Sequence, residues 1–458
     1  MGFDPKTCTE LLKSAQLMQT YGKVNKVVGL VAEAAGLNAS MGSVCHILPD
    51  DGGEDIAAEV VGFRDGNLLF MPYGEMRGVR PGSLIRNTSL PPLFPVGPGL
   101  LGRTFDAFGN PLDKSDPIVP DSLSPLYASP PAPLERPRIT DALDVGVLAI
   151  NSLLTLGKGQ RVGIMAGSGV GKSTLMGMMA RYTSADVNVL GLIGERGREV
   201  LEFIEKDLGP EGMARSVVIV ATSDQSSLVR MRAAYAATAV AEYFRDQGKD
   251  VLLMMDSVTR FAMASREVGL ATGEPPTTKG YTPSVFAQLP RLLERAGRSS
   301  KGTITGIYTV LVDGDDFNEP IADATRSILD GHIVLTRSLA DQGHFPAIDV
   351  LKSISRLRSD ICPDEVIKAG RLVTGLMAAY NQVEDMINIG AYNQGSSPEI
   401  DAAIRMRGPT IALLRQNVAN CENLLNSYTK LLNLATSSVP AAPQQPSPQP
   451  QSHGEKTA

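Results

Sequence analysis

Tryptophan is missing from the 458 residues, and Phe, Tyr and Trp together make up only 5% of the chain. Few side chains are therefore available as stacking platforms for single-stranded nucleic acid. No charge of one sign dominates either. The formal net charge is −6, which argues against nucleic acid or an anionic membrane as a bulk partner. Cysteine is scarce: Cys8, Cys45, Cys362 and Cys421 stand far apart and form no CxxC pair, as expected for free thiols in a reducing compartment. No apolar run approaches the length of a membrane span, and the N-terminus shows no signal-peptide core, so a cytoplasmic protein is expected. What remains is an ordinary globular balance, 43% hydrophobic and 20% charged, at a length that suggests two to four domains.

The organisation changes along the chain. Residues 1–22 carry spaced apolar positions (Leu11, Leu12, Ala15, Leu17, Met18) that suit an amphipathic helix. Residues 23–90 hold short β-type runs, 23–34, 43–48, 56–63 and 67–71, punctuated by Gly and Asp. They are read as a small β-barrel. Proline density rises from Pro91 to Pro137, which marks an extended, loop-rich connection. Beyond it, continuous apolar runs at 161–166, 187–193, 216–221, 251–255, 303–312 and 332–335 alternate with helical patterns. Such runs imply an α/β domain, over 91–370, with a parallel sheet covered on both faces. Residues 371–436 read as a helical domain, and 437–458, rich in Pro, Gln and Ser, as a disordered tail.

The strongest chemical signal is Ala-Gly-Ser-Gly-Val-Gly-Lys-Ser at 166–173, between an apolar run and a helical one. This strand–loop–helix context is what a P-loop requires. Gly167, Gly169 and Gly171, with Ser168 and Val170 between them, let backbone N–H groups curl around phosphate oxygens. The helix beginning near Lys172 adds its dipole, and Thr174 lies in its first turn. In this motif Lys172 reaches the β- and γ-phosphates and Ser173 ligates Mg²⁺. Ala166 replaces the first glycine at little cost. The run 251–255 ends in Asp256, the place of the carboxylate that holds Mg²⁺ in such sites. Glu195 follows the run 187–193 and lies 23 residues beyond Lys172, so a parallel sheet would bring it beside the γ-phosphate, able to polarise a water. Glu199 is the rival carboxylate, a turn further on. The acidic stretch 313–316 lacks the Gly and Glu spacing of a calcium loop and is read as a turn.

Together these stretches resemble the hexameric ATPases of the ATP synthase catalytic β-subunit family, in one unbroken order from about residue 24 to 434. They include AGSGVGKSTLMGM (166–178), GLIGERGREV (191–200), DSVTRFAMASREVGL (256–270) and FPAIDVLKSISR (345–356). INIGAYNQGSSPEIDAAI (387–404) resembles the C-terminal domain of type III export ATPases, and VDGDDFNEPIAD (312–323) leans to the flagellum-specific branch over the virulence-type one. The resemblance implies a RecA-like core and an ATP-hydrolysing homohexamer. It makes Lys172, Glu195 and Arg356 catalytic, with Arg356 an arginine finger, and it makes Phe345 an adenine-stacking aromatic. It further implies a stator-like regulator at the N-terminal helix, a central stalk protein and export gate at the C-terminal face, and export substrates and chaperones as clients. Membrane association would be peripheral, through an export apparatus at the inner membrane. The Pro/Gln-rich tail departs from the family pattern.

Two other readings compete. A hexameric RNA helicase of the same fold would need a basic, aromatic-bearing barrel. Residues 23–90 offer only Phe63, Phe70 and Tyr73, with their basic residues diluted by acidic ones. A noncatalytic ring subunit would be expected to lack Glu195 or Lys172, and both are present.

Overall fold

The computed structural model describes residues 19–88, 91–312, 317 and 319–438. Residues 1–18 of the expected N-terminal helix and the acidic stretch 313–316 lie outside the described residues, as does the expected tail beyond Ser438.

Six strands close into a barrel in the order β1-β2-β5-β4-β3-β6. They are β1 (Tyr21–Val28), β2 (Val31–Ala35), β3 (Val44–Ile47), β4 (Ile56–Arg64), β5 (Asn67–Pro72) and β6 (Leu84–Asn87). The apolar run 23–34 is two strands, not one. Gly29, at φ 58°, turns the chain so that Val28 pairs with Val31. Residues 21 and 22, expected in the N-terminal helix, already belong to β1 because they pair with β6. Asp65 and Gly66 both take positive φ (49° and 80°), the two-residue hairpin turn whose twist suits the flanking strands. Inward-pointing Val24, Ala34, Ile47, Val60, Phe70 and Ile85 fill the barrel.

The second sheet has nine strands among the described residues. Its named members are β7 (Arg103–Phe105), β8 (Arg161–Ala166), β9 (Val187–Glu195), β10 (Ser216–Thr222), β11 (Asp250–Asp256), β12 (Thr303–Leu311), β13 (Gly331–Leu335) and β14 (Ile354–Ser355). Their order is β14-β13-β8-β12-β11-β9-β10-β7, and all run parallel except β14; Gly297–Arg298 adds a short antiparallel pairing on β12. β7 falls within the stretch expected to be only a connection. Three residues are too few to show a period, and the strand is tied at its first residue, Arg103, whose Nε and Nη2 each lie 3.0 Å from a carboxylate oxygen of Asp113.

Helices cover both faces, as the continuous apolar strands require. The helices that bear on the site are α1 (Lys172–Tyr182), α2 (Ser227–Asp246) and α3 (Val258–Thr272). α2 is almost wholly buried, and its alanines at 233, 234, 236, 237, 239 and 241 let it lie close on the sheet. The C-terminal helices are α4 (Asp364–Asn388), α5 (Pro398–Leu414) and α6 (Leu424–Ser438). α4 runs unbroken across the expected domain border at 370/371. No helix of the described residues is long and apolar enough to cross a membrane.

Candidate functional site

All parallel strands end on one edge of the sheet, and that edge gathers the chemistry. β8 ends at Ala166 and α1 begins at Lys172. Between them Gly169 (φ 79°) and Gly171 (φ 89°) take the left-handed conformation that side chains disfavour. Gly171 caps α1 without a side-chain acceptor, so the first N–H groups of the helix stay free for an anion. Gly167, Ser168, Gly169 and Val170 complete the loop, and Arg337 donates from Nη2 to the Ser168 carbonyl at 3.2 Å. Phe345 stands against the loop: a Cβ built on Gly171 would lie 3.7 Å from its ring. The ring is half exposed, and its backbone carbonyl accepts from Gln416 N at 3.0 Å, which ties it to the C-terminal helices.

Lys172 Nζ lies 2.5 Å from Asp256 Oδ1 and 3.7 Å from Glu195 Oε1. Asp256 ends β11 and is buried. Ser173, Thr174, Glu195, Glu199, Asp207 and Asp256 share a cleft of about 300 Å³. Burial, and then the negative charge of Asp256, push the Glu195 carboxyl up to about 7, while Lys172 opposes the shift. Glu199 differs, since it reaches Arg196 at 3.4 Å and Arg198 at 3.6 Å on the exposed rim. The Thr174 hydroxyl bonds Asp207, not the loop. The cleft's hydroxyl and carboxylate donors are all oxygen. This set fits Mg²⁺, which takes one or two carboxylates and completes its shell with phosphates and water.

Arg356 is not part of this group. Its backbone N–H donates to the Asp330 carbonyl, and the Asp330 carboxylate binds Arg161, the first residue of β8. The P-loop begins at the last residue of that strand, five residues on, or roughly 16 Å at strand rise. The guanidinium is exposed and donates from Nη2 to the Arg326 carbonyl at 3.2 Å. Arg356 therefore sits at the opposite edge of the sheet from its own chain's P-loop.

Several neighbours of the cleft gave no sequence signal. Arg260, on the first turn of α3, packs its stem within 3.1 Å of a Cβ built on Gly194. Thr309 bonds Asp256, and Asp207 reaches Thr174 from a π-helical turn, Phe203–Leu208.

Three families match successive parts of the chain. Residues 24–89 match the ATP synthase alpha/beta family, beta-barrel domain; 146–355 match its nucleotide-binding domain; 362–433 match the T3SS EscN ATPase C-terminal domain. The flagellum-specific ATP synthase of Bacillus subtilis is 56% identical over 430 residues, which cover 93% of this chain and 97% of that one. The type 3 secretion system ATPase of Xanthomonas euvesicatoria is 50% identical, covering 91% and 93%. Among solved structures, the assembled ATPase EscN from the type III secretion system of enteropathogenic E. coli superposes with a TM-score of 0.86 at 44% identity, over 90% of this chain and all of that one. EscN in complex with its central stalk EscO gives 0.84 at the same identity and coverage.

Proposed function

Because the chain belongs to the ATP synthase alpha/beta family, in the branch of the flagellum-specific ATP synthases, we propose that it hydrolyses Mg-ATP in a homohexameric ring to drive protein export by a flagellar type III apparatus. The observation that carries the reading is the convergence of Lys172, Asp256 and Glu195 on one sheet edge, with Arg356 at the other. Lys172 neutralises the β- and γ-phosphates, while the glycine loop and the start of α1 bind them through N–H groups. Ser173 and Asp256 hold the Mg²⁺, which when bound shields the phosphate charge. Glu195 orients and polarises the attacking water. Phe345 stacks on the base. Arg356, too far from its own P-loop, reaches the γ-phosphate of a neighbouring subunit, so each site is complete only between two copies of the chain.

The ends of the molecule follow the same reading. The segment before β1 docks a stator-like regulator. The C-terminal helices face a central stalk protein, the export gate and incoming substrates with their chaperones. The protein works in the cytoplasm, at the membrane only through the export apparatus.

The test is complementation between two inactive variants. Arg356→Ala removes a cation that is worth about 10³–10⁵ in rate when supplied in trans. Glu195→Gln removes the water-polarising group and leaves the finger. Random mixing makes about a quarter of interfaces complete if the finger acts across the interface. ATPase activity of the mixture is expected to rise well above that of either parent. Wild-type turnover in Arg356→Ala, or full wild-type turnover from a strictly monomeric sample, would sink the shared-site reading.

A further inference from the structure

β12 lies between the strand that opens into the P-loop and the strand that ends in Asp256. Thr309, on β12, is level with both. It pairs with Ile164 of β8, and the residue before it pairs with Met255. It is fully buried among apolar neighbours, where valine would fill the same space. Its hydroxyl instead donates to Asp256 Oδ1 at 2.7 Å; the Met255 carbonyl is the longer alternative at 3.3 Å. One proton cannot serve both, and the nearer, charged acceptor takes it.

Two donors to Asp256, Lys172 Nζ and Thr309 Oγ1, approach the same oxygen. They differ in permanence. The ammonium rides on a flexible four-carbon stem and is also wanted by phosphate. The threonine hydroxyl sits on a β-branched side chain inside the sheet, with its rotamer restricted. We propose that Thr309 is a positioning residue for ATP hydrolysis. It holds Oδ1 of Asp256 from within the sheet, and so turns Oδ2 toward the metal side of the cleft whether or not Lys172 has moved to the phosphates. This rests on the reading of the cleft as a Mg-ATP site.

The test compares Thr309→Val with Thr309→Ser in the full chain. A fluorescent ATP analogue is titrated with and without Mg²⁺, and steady-state turnover and melting temperature are measured alongside. Removing an outer-shell hydrogen bond of this kind costs about 10–100-fold in metal affinity or activity. Thr309→Val is expected to lose at least about tenfold of the Mg²⁺-dependent gain in nucleotide affinity, and a similar factor in turnover. Its melting temperature and its affinity for the analogue without metal should stay near wild type. Thr309→Ser, which keeps the hydroxyl, should retain both the gain and the turnover. Should Thr309→Val misfold, Thr309→Ala against Thr309→Ser makes the same comparison at smaller volume. A hydroxyl-free variant with the full Mg²⁺ gain and wild-type turnover overturns the assignment. Equal losses in Ser and Val do so too, because they would point to packing. A wild-type protein with neither Mg²⁺-dependent binding nor turnover would instead overturn the reading of the cleft, and this assignment with it.

Discussion

Glu195 shows how a residue's position sets its chemistry. Burial, together with the charge of Asp256, which outweighs the opposing pull of Lys172, raises its carboxyl to about 7. In the nucleotide-free, metal-free protein the group is therefore half protonated near neutrality. The sign for stability follows. The folded value lies above the ordinary 4.5, so the neutral form is the one the fold favours. Glu195 costs nothing at acid pH, and progressively destabilises the protein as pH climbs from 4.5 to about 7. Isotope-edited titration of Glu195 should give a midpoint near neutrality. Asp256→Asn should move that midpoint down, because it removes the neighbouring charge and releases Lys172 to pair with Glu195. A midpoint in the ordinary glutamate range, or an upward move in Asp256→Asn, would contradict the stated cause. The sequence made Lys172, Asp256 and Glu195 legible because a P-loop, a strand ending in Asp and a parallel sheet leave few places for them. Thr309 was illegible: a threonine inside an apolar run reads as a good strand former, and only the strand order shows which carboxylate it faces.

At the scale of elements, the buried strands declared themselves because both of their faces are covered. Their apolar runs are continuous, as at 187–193 and 251–255. β7 did not, since its pairing with β10 is a tertiary fact. Glycines inside helices were equally silent, and the packing now separates them. Gly177 on α1 has the backbone of Asp207 so near that a Cβ would lie 2.5 Å from its carbonyl oxygen. That contact seats the wall formed by Phe203–Leu208 beside the cleft. Gly375 on α4 has nothing within 4 Å of a built Cβ. The same substitution should therefore act with opposite signs. Gly177→Ala should destabilise by about 1–3 kcal/mol through overpacking, and weaken nucleotide binding by moving the wall. Gly375→Ala should stabilise by about 0.5–1 kcal/mol, the usual helix preference for alanine. Denaturant midpoints of the two variants check this, and a shift of the same sign in both would refute the packing argument.

The whole molecule is joined where the barrel, the proline-rich connection and α2 meet around one buried carboxylate. Glu59 of β4 accepts from Tyr73 Oη at 2.6 Å and from Tyr127 Oη at 2.9 Å. Arg232 of α2 lies over the rings of Tyr73 and Phe108 and donates to the carbonyls of Ala107 and Leu93. Both charged residues are almost wholly buried. Burial raises the Glu59 carboxyl above its ordinary value, and the two tyrosines and Arg232 pull it back only in part. The ionised carboxylate is thus the costly form here, tolerated because its partners come from three segments at once. A carboxyl raised in the fold gives its full support below the unfolded value, 4.5, and loses it as pH rises through the folded one. Wild type should therefore lose stability relative to Glu59→Gln over that window, and hold a constant difference above it. Arg232→Met leaves Glu59 without its cation. This should push the carboxyl higher, and cost about 1–3 kcal/mol because the buried carbonyls of Ala107 and Leu93 lose their donor. The double variant Glu59→Gln, Arg232→Met should recover part of that loss, because no buried charge is left uncompensated. Additive losses across the cycle would mean that Arg232 stabilises through Ala107, Leu93 and the rings alone. The barrel would then be held to the ATPase core by packing and carbonyl bonds, without help from the charge on Glu59.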